Sequence, residues 1–167
     1  MKGEIIMSNF VKQQVTDLPP SGIRKFFDLA ATMDECISLS IGEPDIVTPK
    51  LMMDAAVESL KQGKTAYTSN AGLIELREEI CNYLKKYDLS YEANNEVLIT
   101  VGASEAIDLA FRALVGPGDE VLIPDPSFVC YGPLTTLTGA TPVSLATYEK
   151  DEFRLTAEEL EKKITPN

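Results

Sequence analysis

The chain has 167 residues, 44% hydrophobic and 25% charged, close to average globular usage, so disordered, collagen-like and coiled-coil readings are excluded for its bulk. Fifteen Lys and Arg against 26 Asp and Glu leave a net charge of −11, which repels nucleic-acid backbones and anionic lipid and argues against either as a partner. Histidine is absent, which removes Ser-His-Asp and Cys-His nucleophile systems and the usual Cys/His zinc sites.

The N-terminus, MKGEIIMSNF, lacks the apolar core and small-residue cleavage site of a secretory signal. No apolar run approaches the roughly 18 residues of a membrane span, so a cytoplasmic protein is expected. Cys36, Cys81 and Cys130 are far apart and form no Cys-x-x-Cys, so they read as buried, reduced thiols with no metal role. Residues 1–45 read as an arm. Pro19-Pro20-Ser21-Gly22 punctuates it, Ile23 to Ala31 forms one short helix, Cys36 to Ile41 is a strand candidate, and Gly42-Glu43-Pro44-Asp45 turns.

A regular βα alternation occupies 46–167. Thr48-Pro49 predicts a helix with threonine as its cap and proline at its first position. Leu51, Met52, Ala55, Ala56 and Leu60 share one face, and Gly63 stands just past the end. A second helix is expected from Leu73 to Tyr87, with Leu73, Leu76, Ile80, Leu84 and Tyr87 on its apolar side. Val97 to Val101 reads as a buried strand of a sheet covered on both faces. Gly102-Ala103-Ser104 turns it into an amphipathic helix bearing Ala106, Ile107, Ala110, Phe111 and Leu114, which Gly116-Pro117-Gly118-Asp119 ends. Glu120 to Pro124 is a second strand, Tyr131 to Thr138 a helix ended by Gly139, and Thr141 to Ala146 a third strand. Thr156 with Glu159 predicts a capping box, and Leu155 with Leu160 a hydrophobic staple, at the start of a last helix. Three strands separated by helices make an α/β fold with parallel pairing, incomplete against the usual five or six strands.

Four places could carry chemistry. At Gly102-Ala103-Ser104 the glycine allows a tight turn, the first helical N–H groups are free to meet an anion at the positive dipole end, and Ser104 adds a hydroxyl. An ordinary turn and cap would use the same residues. Phe128, in Asp125-Pro126-Ser127-Phe128-Val129-Cys130-Tyr131, follows the C-terminal end of a strand, where open α/β sheets place ligands, and could cover a flat ring. It could equally be a core residue of the next helix. Tyr67, in Gly63-Lys64-Thr65-Ala66-Tyr67, is either a loop tyrosine whose hydroxyl reaches a phosphate or a half-buried filler. Gly42, in Ser40-Ile41-Gly42-Glu43-Pro44-Asp45, could bring a bare N–H to a carboxylate or simply end a strand.

In their order and spacing, SLSIGEPDIVTP, GKTAYTSNAGLIELREEI, VLITVGASEAI, LVGPGDEVLIPDPSFVCYGP and the stretch near Thr141 resemble the class I/II aminotransferases. These are pyridoxal 5′-phosphate (PLP) enzymes of fold type I, and the likeness is to the N-terminal portion of the aspartate and aromatic aminotransferase branch. The resemblance implies that 1–45 is an arm and small-domain contribution and that 46–167 is the N-terminal part of the large PLP-binding domain. It implies that Gly102, Ala103 and Ser104 bind the cofactor phosphate and that Phe128 stacks on the pyridine ring. Tyr67 would reach the phosphate of the neighbouring subunit, making a homodimer, and Gly42 would lie near the substrate carboxylate. Arg77 and Asp119 fit family patterns but read as a structural salt bridge and a turn. In the family's sheet the first of these strands is not adjacent to the other two, so a gap is expected between them.

The family's Schiff-base lysine, the aspartate on the pyridine nitrogen and the arginine for the substrate would all lie after Asn167. None of the eleven lysines sits in the family's Ser-x-x-Lys setting. The expected activity of the family is amino transfer between an amino acid and a 2-oxo acid, with this chain inactive alone. A carbon–sulfur β-lyase of the same fold and a non-catalytic phosphate-binding module are the alternatives.

Overall fold

The computed structural model describes residues 10–20, 22–33, 36–37, 42 and 44–167. The chain divides into two units. One comprises Val101–Asn167 together with residues 10–20, and the other runs from Gly22 to Thr100.

The second unit is helical. After α1 (Gln13–Thr16), which belongs to the first unit, come α2 (Ile23–Ala30), α3 (Lys50–Lys61) and α4 (Ile74–Leu84), the last prolonged by a 3-10 turn, Lys85–Tyr87. The strand expected over Cys36 to Ile41 falls largely outside the described residues. Helix α3 starts one residue later than its sequence predicts. Pro49 is the extended cap itself (φ −52°, ψ 137°) and no side chain caps the end. Its other end follows expectation: Gly63 takes φ +70°, Gly63 N–H donates to Leu60 O and Lys64 N–H to Ser59 O, both at 3.0 Å. The apolar face of α3 has nothing packed on it among the described residues, and Leu51 is 82% exposed. In α4 the buried positions are Arg77 and Cys81, one residue on from the predicted stripe of Leu76 and Ile80. One residue is about 100° around a helix, so the centre of the contact face is shifted, although Ile80 and Leu84 of the predicted stripe stay half-buried.

Val97 to Val101 is not a strand. Ile99 N–H donates to Ala71 O at 3.1 Å instead. A strand exists only with a partner for its backbone groups, and among the described residues none lies beside this one.

The first unit holds the sheet. Helix α5 (Ala103–Leu114) leads to β1 (Glu120–Asp125), α6 (Tyr131–Thr138), β2 (Thr141–Ala146), a 3-10 turn (Glu149–Asp151) and α7 (Ala157–Glu161). Asp119 makes the expected turn, accepting from Gly116 N–H at 2.7 Å through Oδ2 and donating its own N–H to Gly116 O at 3.1 Å. Strands β1 and β2 pair in parallel, Glu120 opposite Thr141 through Asp125 opposite Ala146, with α6 as the crossover. The core lies where α6 meets the strands: Leu145 is 2% exposed, and Thr135 is fully buried with its hydroxyl on Tyr131 O at 2.8 Å. Gly139 ends α6 at φ +89°. At α7 half of the capping box forms, Glu159 N–H donating to Thr156 Oγ1 at 3.3 Å. The Glu159 carboxylate turns instead to Lys162 Nζ at 2.5 Å.

The three cysteines are free, but only Cys81 is buried; Cys130 is half-buried and Cys36 is exposed, against the expectation of three buried thiols. Among the described residues no helix is long and apolar enough to cross a membrane, and no cluster of candidate metal ligands occurs.

Truncating Leu145 to alanine should cost about 2–5 kcal/mol of unfolding free energy, read by urea denaturation followed through far-ultraviolet circular dichroism. The hydrogen bond and charge of Lys162 lower the pKa of Glu159. A depressed carboxyl stabilises the folded state above its unfolded pKa, and that contribution is lost as pH falls through the folded value. The NMR titration midpoint of the Glu159 side chain should therefore lie below the ordinary 4.5 and return to it in Lys162→Met.

Candidate functional site

The chain enters α5 through Gly102, the N-cap, at φ 83° and ψ 166°. Only glycine adopts that conformation without strain. A Cβ there would meet nothing within 4 Å, so glycine is required by the turn and not by lack of room. Ala103 and Ser104 are the first two helical residues and are exposed. Their N–H groups, with that of Glu105, are the donors that a helix start cannot use itself. They stand at the positive end of a 12-residue helix. Ser104, at the second helical position, carries a hydroxyl beside these donors. Glu105, which sequence reasoning passed over, folds back so that its carboxylate accepts from Val101 N–H. Its place at the third helical position is the signal that could have found it.

Phe128 stands in the same unit, on the loop between β1 and α6. Its ring packs edge-on against Tyr131, centroids 5.8 Å apart and planes at 77°, and stays 54% exposed. It is therefore not a core residue. The ring borders a cleft of about 510 Å³ at the C-terminal end of β1, which Ile123, Asp125, Ser127 and Ser144 also line. Across the pair, Ser144 Oγ donates to Asp125 Oδ2 at 3.3 Å. Parallel register explains their meeting, because Ile123 is opposite Ser144 and Asp125 is one step further on the same side. Nothing in the sequence marked Ser144. Gly102, Ala103 and Ser104 do not line this cleft.

Tyr67 and Gly42 belong to the other unit. Tyr67 lies on the exposed loop between α3 and α4, its side chain wholly in solvent. Gly42 is exposed, and a Cβ on it would meet nothing within 4 Å. Arg77 is not in the expected salt bridge: its Nη1 donates to Ala93 O at 2.7 Å and Asn94 O at 3.3 Å.

These residues fit a phosphorylated aromatic cofactor in two respects. The start of α5 offers amide donors, a glycine turn and a hydroxyl to a phosphate dianion. Phe128 offers half a ring to a flat heterocycle.

Comparison with known proteins gives the family. Residues 34–167 match the model of the aminotransferase class I and II family. YugH of Bacillus subtilis (strain 168), provisionally named an aminotransferase, is 51% identical over 160 residues, covering 95% of this chain and 42% of that protein. A solved structure titled Pyrococcus protein-A1 superposes with a TM-score of 0.86 at 44% identity, covering 91% of this chain and 39% of that one. The aspartate aminotransferase of Thermotoga maritima superposes with a TM-score of 0.84 at 32% identity, covering 93% and 42%. The chain thus spans about two fifths of the length of these relatives.

Glu105 places a negative charge at the end of α5 where an anion would sit. Glu105→Gln keeps an acceptor for Val101 N–H and removes that charge, so affinity for inorganic phosphate should rise about two- to fivefold, measured by phosphorus NMR titration.

Proposed function

The chain belongs to the class I and II aminotransferases, PLP-dependent proteins of fold type I, and on that footing we propose that it is part of an enzyme moving an amino group between an amino acid and a 2-oxo acid. The turn at Gly102 carries the reading. It opens α5 with a positive φ and leaves the amides of Ala103 and Ser104 in solvent at the helix's positive end.

In this reading Ala103 and Ser104 donate to the phosphate oxygens, and Gly102 lets the backbone come close enough to do so. The dipole of α5 supplies the positive potential that a chain of net charge −11 otherwise lacks. Phe128 covers one face of the pyridine ring, excluding water from it and fixing its plane. The Tyr67 hydroxyl reaches the phosphate held by the neighbouring subunit, so the working unit is a homodimer. Gly42 offers its N–H to the substrate carboxylate. When bound, the cofactor supplies an electron sink for the bond broken at the amino acid's α-carbon.

No lysine of this chain stands in the family's Ser-x-x-Lys setting, and we assign none to carry the cofactor or move the substrate proton. The 167 residues alone then hold a phosphate and a ring cover without the acid–base group. The same reading takes residues 1–45 as arm and small-domain contribution, residues 46–167 as the beginning of the large domain, and the cytoplasm as the location.

Pyridoxine 5′-phosphate, which has the ring and phosphate but cannot condense with a lysine, tests the binding claim directly. Fluorescence titration should show it binding in preference to unphosphorylated pyridoxine. Ser104→Ala and Phe128→Ala should each weaken it by about three- to tenfold. Equal affinity for the two compounds would remove the phosphate assignment. With PLP, an amino acid and a 2-oxo acid, the isolated chain should form no new oxo acid by chromatography.

A further inference from the structure

Asp125 is the last residue of β1, and two of its oxygens are held from the β2 side. Its carbonyl accepts twice from Thr147, from the N–H at 2.9 Å and from Oγ1 at 3.0 Å. Its carboxylate accepts from Ser144 Oγ at 3.3 Å. The Thr147 N–H carries the parallel ladder one step past the pair Asp125–Ala146. The two hydroxyls are additional to the ladder. Among the described residues they make the only side-chain hydrogen bonds between β1 and residues 141–147, and both fall on this one residue.

What leaves Asp125 is the loop that carries Phe128. Pro126 comes first and has no N–H with which to bond back to β2. Only Pro126 and Ser127 separate Asp125 from Phe128, about 11 Å of extended chain at most. On the far side, Phe128 O accepts from Tyr131 N–H at 3.3 Å, and the two rings meet edge-on with centroids 5.8 Å apart. The Phe128 ring is 54% exposed, so burial does not hold it. Its place depends on the two ends of a short loop, α6 at one end and Asp125 at the other. Every residue named here lies in the unit that contains Val101–Asn167.

We infer that Asp125, Ser144 and Thr147 are positioning residues, tying the root of the 126–130 loop to the end of β2 and so fixing where the Phe128 ring stands at the cleft. This role rests on the proposed reading of Phe128 as a ring cover. An exposed ring that must first be immobilised loses part of its contact energy on binding, whereas one already held in place keeps it. Parallel register supplies the holding groups: Ser144 lies one step back from the pair Asp125–Ala146 and Thr147 one step beyond.

Ser144→Ala/Thr147→Val removes both hydroxyls and keeps the ladder N–H of residue 147. NMR of the 167-residue chain tests the ring's position without any ligand. The Phe128 ring signals, identified by their loss in Phe128→Ala, should move toward those of free phenylalanine in the hydroxyl-free variant. Ser144→Thr/Thr147→Ser, which keeps both hydroxyls, should restore them. Unchanged Phe128 signals in the hydroxyl-free variant overturn the inference, and Ser144→Ala alone, at an exposed position, reads the same shift if the double variant does not fold. Titration with pyridoxine 5′-phosphate then separates positioning from a general effect on the fold. Losing both hydroxyls should weaken binding about three- to tenfold in the wild-type background and less than about twofold in Phe128→Ala. An equal loss in both backgrounds shows that the hydroxyls do not act through the ring, and overturns the positioning role. Wild-type chain that fails to bind overturns the functional reading, and the placement of the ring is then decided by the NMR shift.

Discussion

The parallel pairing of β1 with β2 is the constraint on which the sheet-bearing unit depends. Two parallel strands cannot be joined by a tight turn, so α6 must cross between them and pack on their face. That crossover buries Leu145 and Thr135 and brings the C-terminal ends of both strands to one edge. The loop leaving β1 there carries Phe128, and the register across the pair sets Ser144 beside Asp125. Site geometry on this side is thus a by-product of topology, as the rule for open α/β sheets leads one to expect.

Local signals were legible wherever local chemistry decides structure. The bounds of α6 and β2, the stop at Gly139 and the turn at Gly116 to Asp119 follow from glycine conformation, β-branching and short-range hydrogen bonds, and the structure has each of them. The misses are of another kind. Val97 to Val101 has every local mark of a strand, yet a strand is a property of pairs, and its own residues do not reveal whether a partner is present. The buried positions of α4 were missed because Arg77, read as a structural salt bridge, was left out of the buried stripe. A guanidinium can be buried when backbone carbonyls receive it, and periodicity of apolar residues does not register that. The resemblance to a known family supplied what propensity could not, namely the proposal that the turn at Gly102 and the aromatic at Phe128 serve one chemistry.

Charge is handled by geometry more than by composition. With 15 cationic against 26 anionic side chains, the overall field opposes the phosphate proposed at the start of α5. The proposed attraction rests instead on oriented peptide groups, which act over the first turn of a helix only. Arg77, the side chain best suited to gripping an anion, is turned inward to hold carbonyls. Glu105 stands at the mouth of the helix and ties down the Val101 amide. The donor set is therefore short, directional and sensitive to single residues.

Helix α3 carries the amino acids of an interior on a surface: Leu51, Met52, Val57 and Leu60 are all at least half exposed. Hydrocarbon that is already wet before unfolding contributes nothing to the heat capacity released when the chain melts. It adds equally little to the slope with which denaturant lowers stability. The helical unit accordingly has a thermodynamic signature smaller than its length, and any polypeptide that came to cover α3 would enlarge that signature by the area it dried.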